Sequence, residues 1–232
     1  MQRIRLRYTK RGRLRFTSHR DIARVFERAL RRAEVPVAFS AGFSPHPKVS
    51  WVGAAATGVA SEAEYVEIAL AERRDPEDIR RTLDASLPDG IDLVEAVTAQ
   101  PGTNLPDLVT ASVWHVELPG VAVPDLERAV AAFRAAPAVE VERMTKNGRR
   151  TFDARHAVVS LEPTAGDDCA ILAMVVQHVT PAVRPDDVLT GLRAVSDLAI
   201  PVPPAVTRLA QGPLTADGGV GDPLAPDRVA AG

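Results

Sequence analysis

Polar and apolar residues alternate from the second position of the chain. Gln2 to Tyr8 places Ile4, Leu6 and Tyr8 on one face and Arg3, Arg5 and Arg7 on the other, the period-two pattern of a half-buried strand. Lys10-Arg11-Gly12 predicts a turn, and Arg13 to Phe16 resumes the alternation, so a hairpin is expected. Its polar face would carry Arg3, Arg5, Arg7, Arg13 and Arg15. Five like charges on one face repel unless an anion covers them, and either internal carboxylates or phosphate would serve. Ser18, with Asp21 three positions on, resembles a capping box and predicts a helix start. Ile22, Val25, Phe26, Ala29, Leu30 and Ala33 then share one arc of that helix, while Arg20, Arg24, Arg28, Arg31 and Arg32 share the opposite one.

Val35 to Phe39 reads as a short strand leading into Ser40-Ala-Gly-Phe-Ser-Pro-His-Pro-Lys48. Pro45 and Pro47 fix the backbone on both sides of His46, and Gly42 permits a left-handed bend. A loop set in advance holds a side chain at little entropic cost, although a rigid connector explains the same residues. Ala63–Leu70 and Ile91–Val97 alternate as strands on either side of a helix over Asp75–Leu87. After a linker at 101–108, strands are expected near 112–118, 139–144, 149–153, 157–161 and 170–176, with helices over 125–135 and 186–198. Lys146-Asn147-Gly148 is the turn signal between the two middle strands.

The expected fold class is α+β: two ferredoxin-like α/β sandwich units in tandem, at 1–100 and 109–200. Residues 201–232 are rich in Pro and Gly without periodicity, and a largely disordered tail is expected there.

Charge changes this picture. The formal net charge of −2 conceals a split, because residues 1–50 hold 13 Lys or Arg against three acids. That stretch and Trp51 also hold six of the ten aromatics. A basic, aromatic-rich segment suits nucleic acid. It equally suits docking on the acidic remainder of the chain. Arginine supplies 25 of the 28 basic residues, which base composition of the coding sequence would also produce.

Chemistry-bearing motifs are sparse. Cys169 is the sole cysteine, which excludes an intramolecular disulfide, a Cys-rich zinc site and a self-held iron–sulfur cluster. No Walker loop, GxGxxG or HExxH occurs, and the five histidines show no metal-ligand spacing. No metal and no cofactor are therefore expected. No apolar run is long enough to span a membrane and no signal-peptide core follows the N-terminus, so a cytoplasmic protein without membrane association is expected. His115, His178 and Cys169 read as ordinary sheet residues.

Two candidate sites remain. The first, for RNA or another anion, comprises Lys10, Arg13, Arg15, Ser18, His19, Arg24, Arg28, Arg31, Arg32, Ser44, His46 and Lys48. Ser18 and His19 lie at a helix N-terminus, where free N–H groups favour phosphate. Phe43 and Trp51 read first as core residues and second as platforms for a base. The other is a smaller basic ridge of Lys146, Arg149, Arg150 and Arg155. His19 and His46 are the candidate catalytic pair, since two imidazoles titrating near neutrality can cleave RNA by general acid–base chemistry.

The run RLRYTKRGRLRFTSHRDIARVFERALRRAEVPVAFSAGFSPHPKVSW, followed by GVASEAEYVEIAL and later by KNGRRTFDAR and VRPDDVL, resembles the bacterial radical SAM-linked, or radical SAM-associated, proteins. Matching positions are Arg15, Ser18, His19, Asp21, Arg28, Arg31, Phe43, Pro45, His46, Pro47 and Lys48; Arg20 stands where the family tends to carry Leu. The resemblance implies a radical SAM enzyme as partner, on a separate chain because the CxxxCxxC motif is missing here, and it favours RNA as substrate. An accessory RNA-binding protein is the expected function, more in keeping with these motifs than an enzyme. A metal-independent endoribonuclease using His19 and His46, or a protein–protein adaptor without RNA affinity, is the alternative.

Overall fold

The computed structural model describes residues 1–146 and 148–229. The chain divides into two compact units, Met1–Val109 together with the segment from Asp222 onward, and Thr110–Gly221. Both are α+β, and the strand pairings within each are antiparallel.

The first unit runs β1 (Gln2–Lys10), α1 (His19–Arg32), β2 (Val49–Val52), β3 (Ala60–Leu70), α2 (Pro76–Asp84) and β4 (Leu93–Thr98). Its strands lie in the order β4-β1-β3-β2. Strand β1 sits in the middle because its alternation serves two faces. Ile4, Leu6 and Tyr8 enter an apolar core with Val66, Ile68 and Leu70 of β3, and α1 and α2 close it with Ile22, Phe26, Leu30, Ile79 and Leu83. The arc assigned to α1 from sequence is the one that is buried.

The opposite pleat of β3 builds a second, smaller core from Ala63 and Tyr65 with Val52, Leu105, Val109 and Leu224. Burial there pushes the Tyr65 hydroxyl up to about 12, so it stays neutral.

The arginines of β1 lie on this second face, and internal carboxylates neutralise them. Register puts Arg5 opposite Glu67 on β3, and Arg7 opposite Glu95 on β4. Arg5 is fully buried; its Nε donates to Glu67 at 2.9 Å, and Nη1 meets Asp227 at 2.8 Å. Its Nη2 donates to the carbonyl and hydroxyl of Thr103 at 3.0 and 2.9 Å. Arg3 pairs with Glu67 at 3.1 Å. Of the two anions that could have covered this strand, the internal carboxylates do so.

The expected hairpin does not form. Strand β1 is paired on both edges, by β3 and β4, so no ladder is left for a returning strand. Residues Gly12–Phe16 instead coil into a 3₁₀ turn, with Leu14 N–H donating to Arg11 O and Thr17 N–H to Leu14 O at 3.1 and 3.0 Å. Gly12 adopts φ +54°, which breaks the extended run after β1.

The second unit runs β5 (Ala111–Pro119), α3 (Val123–Ala135), β6 (Glu140–Thr145), β7 (Gly148–Asp153), β8 (Val158–Ala165), β9 (Cys169–Gln177), α4 (Pro185–Ala194) and β10 (Ala205–Gly212). Its main strands are ordered β10-β5-β9-β8, and β6-β7 form a separate hairpin. Asn147, in the expected turn, lies outside the described residues. Gly191 lets α4 approach α3, since a Cβ there would stand 2.9 Å from the Phe133 ring.

The C-terminal segment departs from the expectation of disorder. Residues 205–212 form β10, which pairs with β5, Leu214 bridges Val220, and α5 (Ala225–Val229) belongs to the first unit. Leu224 is fully buried, and Asp227 receives Arg5. The prolines and glycines there punctuate short elements that take their stability from distant partners, which periodicity within the segment does not reveal. Residues 230–232 lie outside the described residues. No helix among the described residues is long and apolar enough to cross a membrane.

Candidate nucleic-acid interface

Helix α1 organises the first candidate site. Ser18 is its N-cap: the hydroxyl accepts from Asp21 N–H at 3.2 Å and donates to the Asp21 carboxylate at 2.7 Å. Asp21 in turn meets Arg24 at 3.4 Å. The helix N-terminus therefore already holds an anion of its own, and Ser18 is occupied by capping rather than free for phosphate. Replacing Ser18 with alanine is expected to destabilise the first unit by about 1 kcal/mol, measurable as a shift of the urea midpoint at unchanged slope.

The outer arc of α1 is different. Arg20, Arg24, Arg28, Arg31 and Arg32 are all exposed. Only Arg24 has a carboxylate within ion-pair distance among the described residues. Arg31 Nε donates to the Glu27 carbonyl at 3.2 Å and Arg32 Nη2 to the Ser86 carbonyl at 2.9 Å, contacts that leave both charges unneutralised. Arg13 is also exposed.

Two predicted ligands are spent on the fold. Lys10 is buried, and its Nζ donates to the Ala56 carbonyl at 3.1 Å. It lies at the end of β1, where the pleat carries it inward rather than onto a hairpin surface. Arg15 is half-buried; its Nε donates to the Gly58 carbonyl at 2.8 Å while its guanidinium lies 5.5 Å from the centre of the exposed Phe16 ring. Beside them, Arg11 is held in its charged form more firmly than usual, chiefly by its hydrogen bond to Glu62.

The second element of the site is the loop after α1. Ala38 N–H donates to Ala69 O and Lys48 N–H to Ala38 O, both at 2.8 Å, and Phe39 bridges Pro47. The expected strand at 35–39 is thus reduced to two isolated bridges. Above them the loop closes on itself. Ser40 N–H donates to His46 O at 2.9 Å, His46 N–H donates to Ser40 Oγ at 3.1 Å, and Oγ lies 3.0 Å from His46 Nδ1. Gly42 takes φ +121° at the tip. Phe43, Ser44, His46 and Lys48 are exposed, Phe43 completely so.

The structure separates the two aromatics that sequence had treated alike. Trp51 belongs to the core, edge-on to Phe26 at 5.0 Å and to Tyr8 at 6.0 Å. Phe43 touches no core. Its exposure was foreshadowed only by the Gly and Pro residues around it. Ser40, which closes the loop, gave no sequence signal because its partner is six residues away.

His19 stacks its ring edge against Trp51 at 5.3 Å, whereas His46 is tied to Ser40. No hydrogen bond or ring contact joins the two imidazoles among the described residues. The basic ridge of the second unit is also partly consumed. Arg149 pairs with Glu142 at 3.3 Å, and Arg155 is half-buried and donates to the Val158 carbonyl at 3.3 Å. Lys146 and Arg150 stay exposed. Asp153, on the same hairpin, accepts from Val139 and Arg155 N–H groups and is structural.

Residues 3–185 match a bacterial family described as "Uncharacterized protein conserved in bacteria (DUF2344)". The chain belongs to that family. The match takes in most of the first unit and the greater part of the second, and states neither an activity nor a partner. No curated protein matches it. Among solved structures, one described as an unknown protein from Galdieria sulphuraria is similar at 17% identity, covering 89% of this chain and 98% of that one, with a TM-score of 0.26. DyPB from Rhodococcus jostii RHA1 is similar at 12% identity over 83% of each chain, with a TM-score of 0.19. Scores this low carry no argument about fold or function.

Proposed function

We propose that this DUF2344 protein is a cytoplasmic RNA-binding accessory protein that works beside a separate radical SAM enzyme. The observation that carries the RNA reading is the contrast between two sets of arginines in one unit. Those of β1 are turned onto internal carboxylates, whereas those of the outer arc of α1 face solvent with a single carboxylate among them. Charge left unneutralised along a helix face is what an external polyanion requires. Arginine's planar fork, with several donors, suits phosphate oxygens better than a point charge. The 4-1-3-2 strand order of each unit supports reading both as ferredoxin-like.

The partner enters through the resemblance alone. A single cysteine leaves any radical-generating cluster to another chain.

The test is filter binding of the purified chain to total small RNA at two salt concentrations, with bound and cleaved RNA scored together. Salt-sensitive retention of intact RNA is the expected result. Cleavage lost in His46→Ala while binding survives would replace this reading with the nuclease. Absence of binding at low salt would remove both and leave the adaptor.

A further inference from the structure

We propose that the RNA this protein engages is single-stranded, and that the Ser40–His46 loop presents Phe43 as a platform on which one unpaired base stacks. This rests on the RNA reading above and adds the class of RNA and the residue that tells it from a duplex.

Three observations converge on the loop. Phe43 is fully exposed at the tip, so its ring makes no contribution to a core. The loop beneath it is closed by three contacts between Ser40 and His46, at 2.9, 3.1 and 3.0 Å, and bounded by Pro45 and Pro47. Little conformational entropy is then left to lose when a ligand meets the ring. Ser44 and His46 of the same loop, and Lys48 just beyond it, are exposed as well. A flat π-face among hydrogen-bonding and cationic groups matches a nucleobase on its phosphodiester backbone.

Connectivity supplies the rest. Phe39, where the loop begins, is seven residues beyond Arg32, and Val35 N–H donates to Leu30 O at 3.0 Å, which holds the connection against the end of α1. The loop thus leaves from the end of the helix that carries Arg28, Arg31 and Arg32. In a duplex the bases are paired and stacked on each other and offer no free face to such a ring, so the arrangement selects single strands.

The experiment compares a short oligoadenylate strand with an RNA duplex of equal length, using the full chain, the Phe43→Ala and Phe43→Leu variants, and the Arg28→Glu/Arg31→Glu variant. Wild type is expected to prefer the single strand. Phe43→Ala should weaken single-strand binding about tenfold or more while leaving duplex binding unchanged. Phe43→Leu should resemble Phe43→Ala, because it keeps apolar bulk and loses the π-face. In a Phe43→Trp variant, indole fluorescence should be quenched by oligoadenylate and not by the duplex. Equal binding of both RNAs by wild type and Phe43→Ala, with loss in Arg28→Glu/Arg31→Glu, would overturn the stacking proposal and leave the RNA reading standing. Full affinity in Phe43→Leu would replace stacking by simple apolar contact. No binding of either RNA by wild type would remove the RNA reading itself.

Discussion

Asp227→Ala is expected to destabilise the first unit by about 3–5 kcal/mol, the usual penalty for stranding one member of a buried ion pair. Arg5 and Asp227 are both fully buried and meet at 2.8 Å. Asp227 also accepts the Gln100 backbone N–H at 2.8 Å, so the alanine variant orphans an amide as well as a guanidinium. Glu67 remains to neutralise Arg5, which keeps the loss within that range rather than above it. Asp227→Asn should cost less, because its amide oxygen still accepts while the charge is lost. The two tryptophans make the measurement selective. Trp51 lies in the first unit and Trp114 in the second, so urea unfolding followed by fluorescence in a Trp114→Phe background reports the first unit alone. An unchanged midpoint would mean that the C-terminal segment is not part of that unit's stability. Deleting residues 222–232 should exceed the point variant, since it also uncovers the apolar surface that Leu224 fills.

The Arg28→Glu/Arg31→Glu variant carries the largest expected effect on binding. Each phosphate contact to a single strand contributes about 0.7 to the slope of log affinity against log salt. Losing two lowers the slope by about 1.4, equivalent at 0.1 M salt to a loss of roughly 25-fold, and repulsion by the new carboxylates adds to it. Both positions are exposed, and neither arginine has a carboxylate partner among the described residues. The fold should therefore tolerate the change, apart from a few tenths of a kcal/mol for negative charge near a helix C-terminus. Filter binding across a salt series checks both the affinity and the slope. Lys146→Glu/Arg150→Glu, on the second unit's hairpin, should alter either quantity much less, because neighbouring arginines there are already engaged by Glu142 and by carbonyl oxygens. Equal effects of the two variants would mean that binding follows overall charge rather than the α1 face.

The contrast between legible and illegible features follows from the range of the forces involved. The face of α1, its Ser18 cap, the β6-β7 hairpin and most strands could be read from sequence, because each depends on residues within a few positions of one another. The turn at Gly12–Phe16 could not. Arg13 to Phe16 alternates as a strand would, and only the occupation of both edges of β1 denies it a partner. The tail is the same case in reverse: its elements have no local periodicity, β10 being held by β5 and the last segment by Arg5, Glu95 and an apolar groove more than a hundred residues away in sequence.

The candidate site divides along this line. Sequence alone determined that the first fifty residues concentrate positive charge and aromatics, that α1 displays a row of arginines, and that no cluster-binding or metal-ligand motif accompanies them. Those properties reside in composition and helical spacing. Tertiary structure decided which cations remain available. It buried Lys10 and Arg5, assigned Ser18 to capping, set Trp51 in the core and left Phe43 outside. A charge is free only when no carboxylate lies within a few ångströms, and that distance is a property of the folded chain.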